Sequence, residues 1–379
     1  GFWKDVNYFH WLLWHSHGMD ESNPWGMPDY RLYWQDTVAV KEGDVITFLH
    51  TGWADNLMIR TGKVLNNTIA GYLMSGDATM GKLIEQYCKG IVSLIRGNMW
   101  HEQDPERYIM PRTIFTQDHS YEVEGRQVYV DYSPVRHEAE DWNALTINNP
   151  NNPYWGDIWI RTMRSKDDVC HIFRIVPMLM RVVEDGQDKY VREAAAQALH
   201  YLQEFARDIV ESGYYIRTKD KYGNQYVPLD DYGTVNDLAS FVKYEFLAPN
   251  AECNAKLAAA LIAYGDPLDI NCGTGNGGLY EIVATRSHYF NYAIIRYFHI
   301  AATTNALMNW QIDIAKELLR GLAQRADAMM DGEGNWEDYE DWDSDVASYL
   351  LAAATAGLPL TSREARHVME QYSLAVDHY

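Results

Sequence analysis

Four segments of the chain carry apolar residues three and four positions apart, which is the spacing of a helix with one buried face. These segments are 80–91, 191–209, 314–329 and 365–376. The last one follows Thr361-Ser-Arg-Glu364, a capping box whose side chains satisfy free N–H groups of a first turn. The pattern predicts four helices that each leave one face exposed.

Each of these helices follows, across a short turn, a segment that is apolar on nearly all sides. The four segments are 55–73, 166–183, 286–304 and 343–355. A helix that is apolar all round must be packed all round, so each helix pair has one buried and one exposed member. Turn-forming residues join the members, namely Ser75-Gly-Asp, Glu184-Asp-Gly, Thr303-Thr-Asn and Gly357-Leu-Pro.

A fifth helix pair is predicted from 236–247 and 251–264, and a further helix near 2–14. Together these elements approach the six pairs that close a ring. The turns keep no fixed period, which argues against a solenoid. The predicted fold is therefore all-α: an (α/α)n toroid of antiparallel helical hairpins, with n of six, that forms a single domain over 1–379.

The longest connection is an insertion around 97–154. It contains Tyr121-Glu-Val-Glu-Gly-Arg-Gln-Val-Tyr-Val, whose alternation about Gly125 predicts a β-hairpin. A second β-hairpin is predicted at 213–227 around Tyr222-Gly-Asn. Long insertions in a compact domain usually cover or build a functional site.

Composition narrows the classes of partner. A formal charge of −21 repels phosphate backbones and anionic membrane surfaces, so nucleic acid is not expected as a partner. The longest apolar stretches contain Arg or His and fall short of a bilayer-spanning length of about 20 residues, so no membrane partner is expected either. The 27 Tyr and 13 Trp suit either a sugar-binding cleft or a large aromatic core, and both interpretations stay open.

The four cysteines are too few and too scattered for a disulfide framework. Cys253 and Cys272 are candidates for one bridge, whereas Cys88 and Cys170 lie on apolar helix faces and are expected to be buried thiols. The sequence begins with Gly and shows no leader, which fits a processed secretory signal as well as a trimmed chain. We expect a secreted or periplasmic protein, with a cytoplasmic one as the alternative.

The buried helices open with dense polar clusters. In a toroid the inner helices all begin at the same end, so these clusters are expected to line one funnel. The clusters are Trp53-Ala-Asp55-Asn56, then Arg164-Ser-Lys-Asp167-Asp168 followed by His171 and Arg174, then Arg286-Ser-His288-Tyr289 followed by Tyr292, and Asp341-Trp342-Asp343-Ser-Asp345.

A structural explanation exists for each acid taken singly, because Asp, Asn and Ser are ordinary N-cap residues worth about 1 kcal/mol. Capping accounts for one acid per helix. It does not account for Arg164 and Arg286, or for the doubled acids of the second and fourth clusters. Acids that face one another across such a mouth repel, which separates a proton donor from a base.

The alternating helices, the aromatic load and the acids at inner-helix starts together resemble the α/α-toroid glycoside hydrolases and polysaccharide lyases. The likeness is architectural, covers roughly residue 53 to the end, and includes no diagnostic motif. It implies carbohydrate chemistry at the toroid mouth and transfers no catalytic residue.

Glycoside hydrolysis needs two carboxyl groups, one as proton donor and one as base or nucleophile. Asp55 and Asp168 are the first pair we would choose. The acids available for this role are Asp55, Asp167, Asp168, Asp343 and Asp345. The residues predicted to bind substrate are Trp53, Asn56, Trp155, Arg164, Tyr289, Tyr292 and Trp342.

A polysaccharide lyase is the alternative, in which Tyr or His abstracts a proton beside a uronate carboxylate and Arg or Asn neutralises the charge. His171, Arg286 and His288 fit that reaction. Isoprenoid or other small-molecule lyase or cyclase chemistry is weaker, because the motif Asn236-Asp237-Leu-Ala-Ser240-Phe-Val-Lys243-Tyr-Glu245 places its final acid one residue late, turned about 100° around the helix. A non-catalytic glycan-binding protein is the remaining alternative.

No cofactor or metal is required by these reactions. Asp331-Gly-Glu333-Gly-Asn335-Trp-Glu begins like a calcium loop but lacks the closing Glu, so a Gly-rich turn is favoured and a calcium site is the alternative. The expected partner is a glycan or small-molecule substrate, and the sequence does not indicate an oligomeric state.

Overall fold

The computed structural model describes residues 37–51, 57–101, 108–115, 119–123, 125–131, 146–154, 156–161, 166–227, 249–270, 289–330, 350 and 359–377. This part of the chain is mostly helical, as predicted, and it adds several small pairs of strands. Within these residues no helix has the length and apolar content needed to cross a membrane. The chain divides into two compact units, 1–237 and 238–379, which we call unit 1 and unit 2 and describe separately.

Unit 1 contains two helical hairpins at the predicted positions. Helices α1 (Leu57–Ser75) and α2 (Ala78–Gly97) form the first hairpin, and α3 (Lys166–Asp185) and α4 (Lys189–Glu211) form the second. Helix α3 is buried over most of its surface, whereas α4 buries one stripe that runs from Val191 to Ile209. The prediction of one buried and one exposed member is thus confirmed for the second hairpin. It is wrong for the first hairpin, where α2 is at least as buried as α1.

The two hairpins lie side by side and run in the same direction. Helix α1 packs on α3, and α2 packs on α4. A Cβ atom added to Gly62 near the start of α1 would lie 3.0 Å from the His171 carbonyl oxygen near the start of α3. At the other end of α1, the Tyr72 hydroxyl accepts a hydrogen bond from the Asp188 N–H at 2.8 Å. The two helices predicted to be inner members, α1 and α3, therefore adjoin each other, and their arrangement in a closed ring remains a prediction.

The two hairpin turns of unit 1 use the same chemistry. Asp77 caps α2 by accepting hydrogen bonds from the Thr79 and Met80 N–H groups, at 2.8 and 3.0 Å. Asp188 caps α4 in the same way, through the N–H groups of the second and third helical residues. Gly76, with φ of 68°, turns the chain before Asp77. A carboxylate at this position satisfies N–H groups that have no partner within the helix.

Strands precede α1 and fill much of the connection between α2 and α3, which is more β structure than the sequence predicted. The strands are β1 (Thr37–Glu42), β2 (Val45–Thr51), β3 (Thr113–Phe115), β4 (His119–Val123), β5 (Arg126–Asp131), β6 (Thr146–Asn152) and β7 (Gly156–Arg161). A four-stranded sheet has the order β1-β2-β5-β4, in which only the β2–β5 pair is parallel. A three-stranded antiparallel sheet has the order β3-β7-β6.

Both β-hairpins predicted from sequence are present. Strands β4 and β5 pair about Gly125, whose φ of 75° explains why a glycine occupies the turn. Strands β8 (Thr218–Lys219) and β9 (Gln225–Tyr226) pair about a turn that contains Gly223, with φ of 83°. The second hairpin is shorter than the predicted range 213–227.

Unit 2 contains α5 (Pro249–Tyr264), α6 (Tyr289–Met308), α7 (Ile312–Met330) and α8 (Ser362–Asp377). Helix α6 packs on α5 and on α7. The capping box before α8 is confirmed: the Thr361 N–H donates to Glu364 Oε2 at 2.5 Å, and the Glu364 N–H donates to Thr361 Oγ1 at 3.2 Å. Residues 236–247, the predicted partner of α5, lie outside the described residues, as does nearly all of 343–355.

The turn predicted at Thr303-Thr-Asn is wrong, because α6 continues through it to Met308. The side chains of Thr303, Thr304 and Asn305 donate to the carbonyl oxygens of the residues four positions earlier, each at 2.8 Å. Polar side chains that favour turns elsewhere can form their hydrogen bonds in this way inside a helix. The turn lies instead at Asn309-Trp310-Gln311, where Trp310 has φ of 58°.

Candidate functional site

The insertion of unit 1 is anchored to the end of α2, which is the end at which α1 and α3 begin. The Asn152 side-chain amide donates to the carbonyl oxygens of Arg96, Gly97 and Met99, at 2.9, 3.0 and 3.1 Å. Asn149 also donates to the Met99 carbonyl, at 2.9 Å. The Arg96 carbonyl also accepts a hydrogen bond from the Met99 N–H, at 3.1 Å. The two buried Asn side chains therefore add donors at the end of α2, where carbonyls outnumber the N–H groups of the helix.

Close packing completes this anchorage. A Cβ atom added to Gly97, the last residue of α2, would collide with the buried Ile114 side chain of β3, 2.4 Å away. A Cβ atom added to Gly223 would lie 2.9 Å from the Trp100 ring, so the β8–β9 turn rests on that indole. Both long connections of unit 1 therefore gather at the end where the buried helices begin.

Asp168 and His171 lie at this end, in the first turns of α3, and both are buried, at 0% and 4% exposure. Helix α3 begins at Lys166, so Asp168 stands inside the helix and is not its N-cap. His171 Nδ1 is 3.5 Å from Arg174 Nη1. The close approach of Gly62 fixes the backbone of α1 against that of His171.

Two buried arginines accompany these residues, and sequence reasoning missed both. Arg161 ends β7, just before α3, and Arg112 precedes β3; they are 6% and 8% exposed. The Arg112 N–H donates to the Arg161 carbonyl at 2.9 Å, so the two backbones are adjacent. The available signal is the apolar run Ile158-Trp-Ile160, which predicts a buried strand that continues into Arg161.

The remaining predicted residues fall into two groups. Asp167 lies in the first turn of α3, and Tyr289 and Tyr292 lie in the first turn of α6, with only their backbones described. The other predicted residues lie outside the described part of the chain: Trp53, Asp55, Asn56, Trp155, Arg164, Arg286, His288, Trp342, Asp343 and Asp345, together with the calcium alternative at Asp331, Glu333 and Asn335 and the motif at 236–245.

An aromatic cluster surrounds Arg96 at the same end of α2. The Arg96 guanidinium lies 4.7 Å from the centre of the Tyr154 ring and 5.6 Å from that of Tyr201, and its Nε donates to the Tyr201 hydroxyl at 3.1 Å. Tyr108 packs edge to face on His200 and Tyr201, at 5.9 and 5.8 Å. Tyr154 is 37% exposed, so the cluster reaches the surface. Such rings provide both apolar faces and polar edges.

A second charged group lies where α4 meets the β8–β9 hairpin. Asp208 forms an ion pair with Arg217, which also contacts Gln225. Burial raises the pKa of the Asp208 carboxyl above its ordinary value, and the hydrogen bond from Arg217 partly offsets that rise. Lys219 in β8 is fully buried nearby and also favours the ionised carboxylate. This group joins the hairpin to the helix and explains the position of the second connection.

Among the described residues, no group of three or more His, Cys, Asp and Glu side chains could hold a metal ion. Cys88 and Cys170 are free and buried, as predicted, and burial raises the pKa of the Cys88 thiol. Cys253 is disulfide-bonded.

No protein family model, curated protein or solved structure matches this chain.

Proposed function

We propose that the chain is a carbohydrate-active enzyme, a glycoside hydrolase that cleaves a poly- or oligosaccharide where the buried helices begin. The observation that carries this proposal is the burial of Asp168 and His171 in the first turns of α3, at the end where both long connections of unit 1 gather. Capping, the main structural explanation for Asp168, is weakened because the helix begins two residues earlier.

In this proposal Asp168 provides one of the two carboxyl groups of a glycosidase, and Asp55, from the residues before α1, provides the other. Because α1 and α3 run in parallel and approach closely at Gly62 and His171, both helices begin at the same end of unit 1. His171 and Arg174, about one and two turns further along α3, would orient the substrate or the carboxylate. The aromatic cluster about Arg96 supports a sugar substrate, since such rings stack on the C–H faces of sugars.

A polysaccharide lyase is the second candidate, and the contact of His171 with Arg174 favours it. Elimination next to a uronate carboxylate uses a neutral base and a cation that stabilises the enolate, and imidazole beside guanidinium provides both. The buried Arg112 and Arg161 add positive charge at the same end, which an anionic polymer requires in a chain of net charge −21.

The disulfide at Cys253 supports the proposed secreted or periplasmic location, because disulfides persist mainly in oxidising compartments.

The test is incubation of the protein with a panel of neutral and uronate-containing polysaccharides, with reducing ends and unsaturated uronate absorbance read together. New reducing ends alone support the hydrolase, and both signals together support the lyase. If neither signal appears, the proposal of an enzyme of this class is contradicted. Asp168→Asn should lower turnover by about 100- to 10,000-fold, the contribution of a general acid or base.

Asp185→Asn is the matched control, because Asp185 ends the same helix in an exposed ion pair with Arg181. It should keep full activity. Circular dichroism checks that both variants fold, and Asp55→Asn tests the proposed partner carboxyl independently of the buried position. Full activity of both Asp168→Asn and Asp55→Asn would contradict the assignment.

A further inference from the structure

Two turns of unit 2 expose large apolar side chains that the proposed reaction does not use. The first turn, 264–270, follows α5, and the second, 309–312, joins α6 to α7. Trp310 is 84% exposed, Tyr264 and Leu268 are each 43% exposed, and Ile312 is 38% exposed. We call residues 264–270 and 309–312 the paired turns.

Side-chain hydrogen bonds hold the paired turns together. The Asn309 amide donates to the Leu261 carbonyl at 3.2 Å and to the Asn305 carbonyl at 2.8 Å. The Gln311 amide donates to the Gly265 carbonyl at 3.2 Å. The two residues that flank Trp310 are thus both fixed to the helix ends, and the indole is presented from a rigid base.

A tryptophan at position 310 is explained neither by the backbone conformation, which favours glycine, nor by packing in the core. Its φ of 58° is in the left-handed region, which a glycine would adopt without strain. Leu268, with φ of 55°, repeats this feature in the other turn. An indole that is mostly exposed contributes little to the core, and strained exposed residues of this kind cluster at binding sites.

The charge of the paired turns selects the class of ligand. Asp266 and Asp269 are exposed in the first turn, and Asp313 is exposed directly after the second. Asp266 Oδ1 accepts a hydrogen bond from the Leu268 N–H at 2.6 Å. In a chain of net charge −21, this acidic border repels an anionic bilayer and a second copy of the same surface. Ionised carboxylates are hydrogen-bond acceptors only, so this border suits a neutral ligand that carries hydroxyl groups.

We propose that the paired turns bind a neutral polysaccharide, with the Trp310 indole stacked on the C–H face of a sugar and the neighbouring carboxylates accepting its hydroxyl protons. The choice of a carbohydrate rests on the proposed function. The turn at Trp310 lies at the C-terminal end of α6, and Tyr289 lies at the N-terminal end of the same helix. The surface therefore lies at the opposite end of α6 from Tyr289, which the sequence predicts to bind substrate.

The test is affinity gel electrophoresis of the Asp168→Asn protein, which leaves the ligand uncut, in gels that contain xylan, mixed-linkage glucan, galactomannan or glycogen. At least one of these polysaccharides should retard the protein. Trp310→Gly should weaken that binding at least ten-fold, about the loss of one stacked ring, with a melting temperature equal to or above that of the parent, since glycine relieves the backbone strain. Trp310→Phe should retain most of the binding.

Met74→Ala is the matched control, because Met74 is an 89% exposed apolar residue at a turn of unit 1, and it should bind as the parent does. Unchanged binding by Trp310→Gly, or no retardation of the parent by any of the four polysaccharides, would overturn the proposal. So would a dimer that Trp310→Gly dissociates in sedimentation, since a second copy would then cover the turns. Binding through Trp310 in a protein that releases no sugar product would contradict the proposed reaction alone.

Discussion

In unit 1 the four helices end on one side in two short turns and on the other in two long connections. The short side carries Asp77 and Asp188, two exposed carboxylates that each accept hydrogen bonds from the first turn of a helix. The long side carries Asp168, which is fully buried and lies within the first turn of α3. Aspartate is thus an exposed N-cap on the short side and a buried residue inside a helix on the long side.

This difference bears on any acid found near a helix start. A cap is exposed, precedes the helix and has its hydrogen bonds with the helix itself, so it leaves no chemistry for a substrate. A carboxyl that is buried inside a first turn has lost the hydration that an exposed cap keeps, and carboxyls in such environments are common at sites of reaction. We therefore expect substitutions on the long side to lower activity or to release the insertion from the end of α2. Substitutions on the short side should lower stability modestly.

The largest effect on stability is expected at Asn152, which holds the insertion on the end of α2. Asn152→Ala removes the side-chain donor from the carbonyl of buried Gly97, whereas the Met99 carbonyl keeps the Asn149 amide and the Arg96 carbonyl keeps the Met99 N–H. Because a buried acceptor without a partner costs about 1–3 kcal/mol, we expect the free energy of unfolding to fall by about 2 kcal/mol. Urea denaturation followed by circular dichroism measures this change.

Asn151→Ala is the matched control for that substitution, because Asn151 is exposed in the same strand. It should change the free energy of unfolding by less than about 0.5 kcal/mol. Equal losses in the two variants would show that the insertion does not depend on the Asn152 contacts, and the contrast between the two sides of unit 1 would lose its basis.

A smaller effect is expected on the short side. Asp188→Ala removes the cap of α4, whose carboxylate accepts from the Tyr190 N–H at 2.7 Å and the Val191 N–H at 3.2 Å. The free energy of unfolding should fall by about 1 kcal/mol, the usual value of an N-cap, with no loss of activity. Lys189→Ala, which removes an exposed ion pair with Glu193, should cost at most about 0.5 kcal/mol. Lost activity in Asp188→Ala would mean that this acid is more than a cap.

The helices of unit 1 could be predicted closely because periodicity depends on burial along one chain segment. Predictions at α1 to α4 differ from the observed bounds by a few residues. The sheets could be predicted only in part: the β4–β5 hairpin is local and has a glycine turn, whereas β2 pairs with β5 and β3 with β7 across long stretches of chain. Such pairing leaves no periodic signal near either strand.

The candidate site shows the same limit. Asp168 and His171 could be found because they stand in a helix that is apolar at most of its positions. Arg112 could not, since its burial depends on strand β7, which follows it by more than forty residues. The prediction of a turn at Thr303 failed for a related reason. The side chains of Thr303, Thr304 and Asn305 donate to carbonyls four residues earlier, which makes them compatible with a helix, and these hydrogen bonds cannot be read from composition.

The smallest effect concerns the pH dependence of the second connection, at Asp208. Burial raises the pKa of this carboxyl, so the folded protein binds its proton more tightly than the unfolded chain does. The contribution of Asp208 to stability is therefore greatest below its unfolded pKa of about 3.9 and falls as the pH rises to the raised folded value, above which it is constant. The difference in free energy of unfolding between the parent and Asp208→Asn should decrease across that interval. Arg217→Gln removes the group that offsets the rise in the Asp208 pKa, so in that variant the effect of Asp208→Asn should decrease over a range that extends to higher pH. If the difference in free energy of unfolding between the parent and Asp208→Asn grew with pH, the assignment would be contradicted.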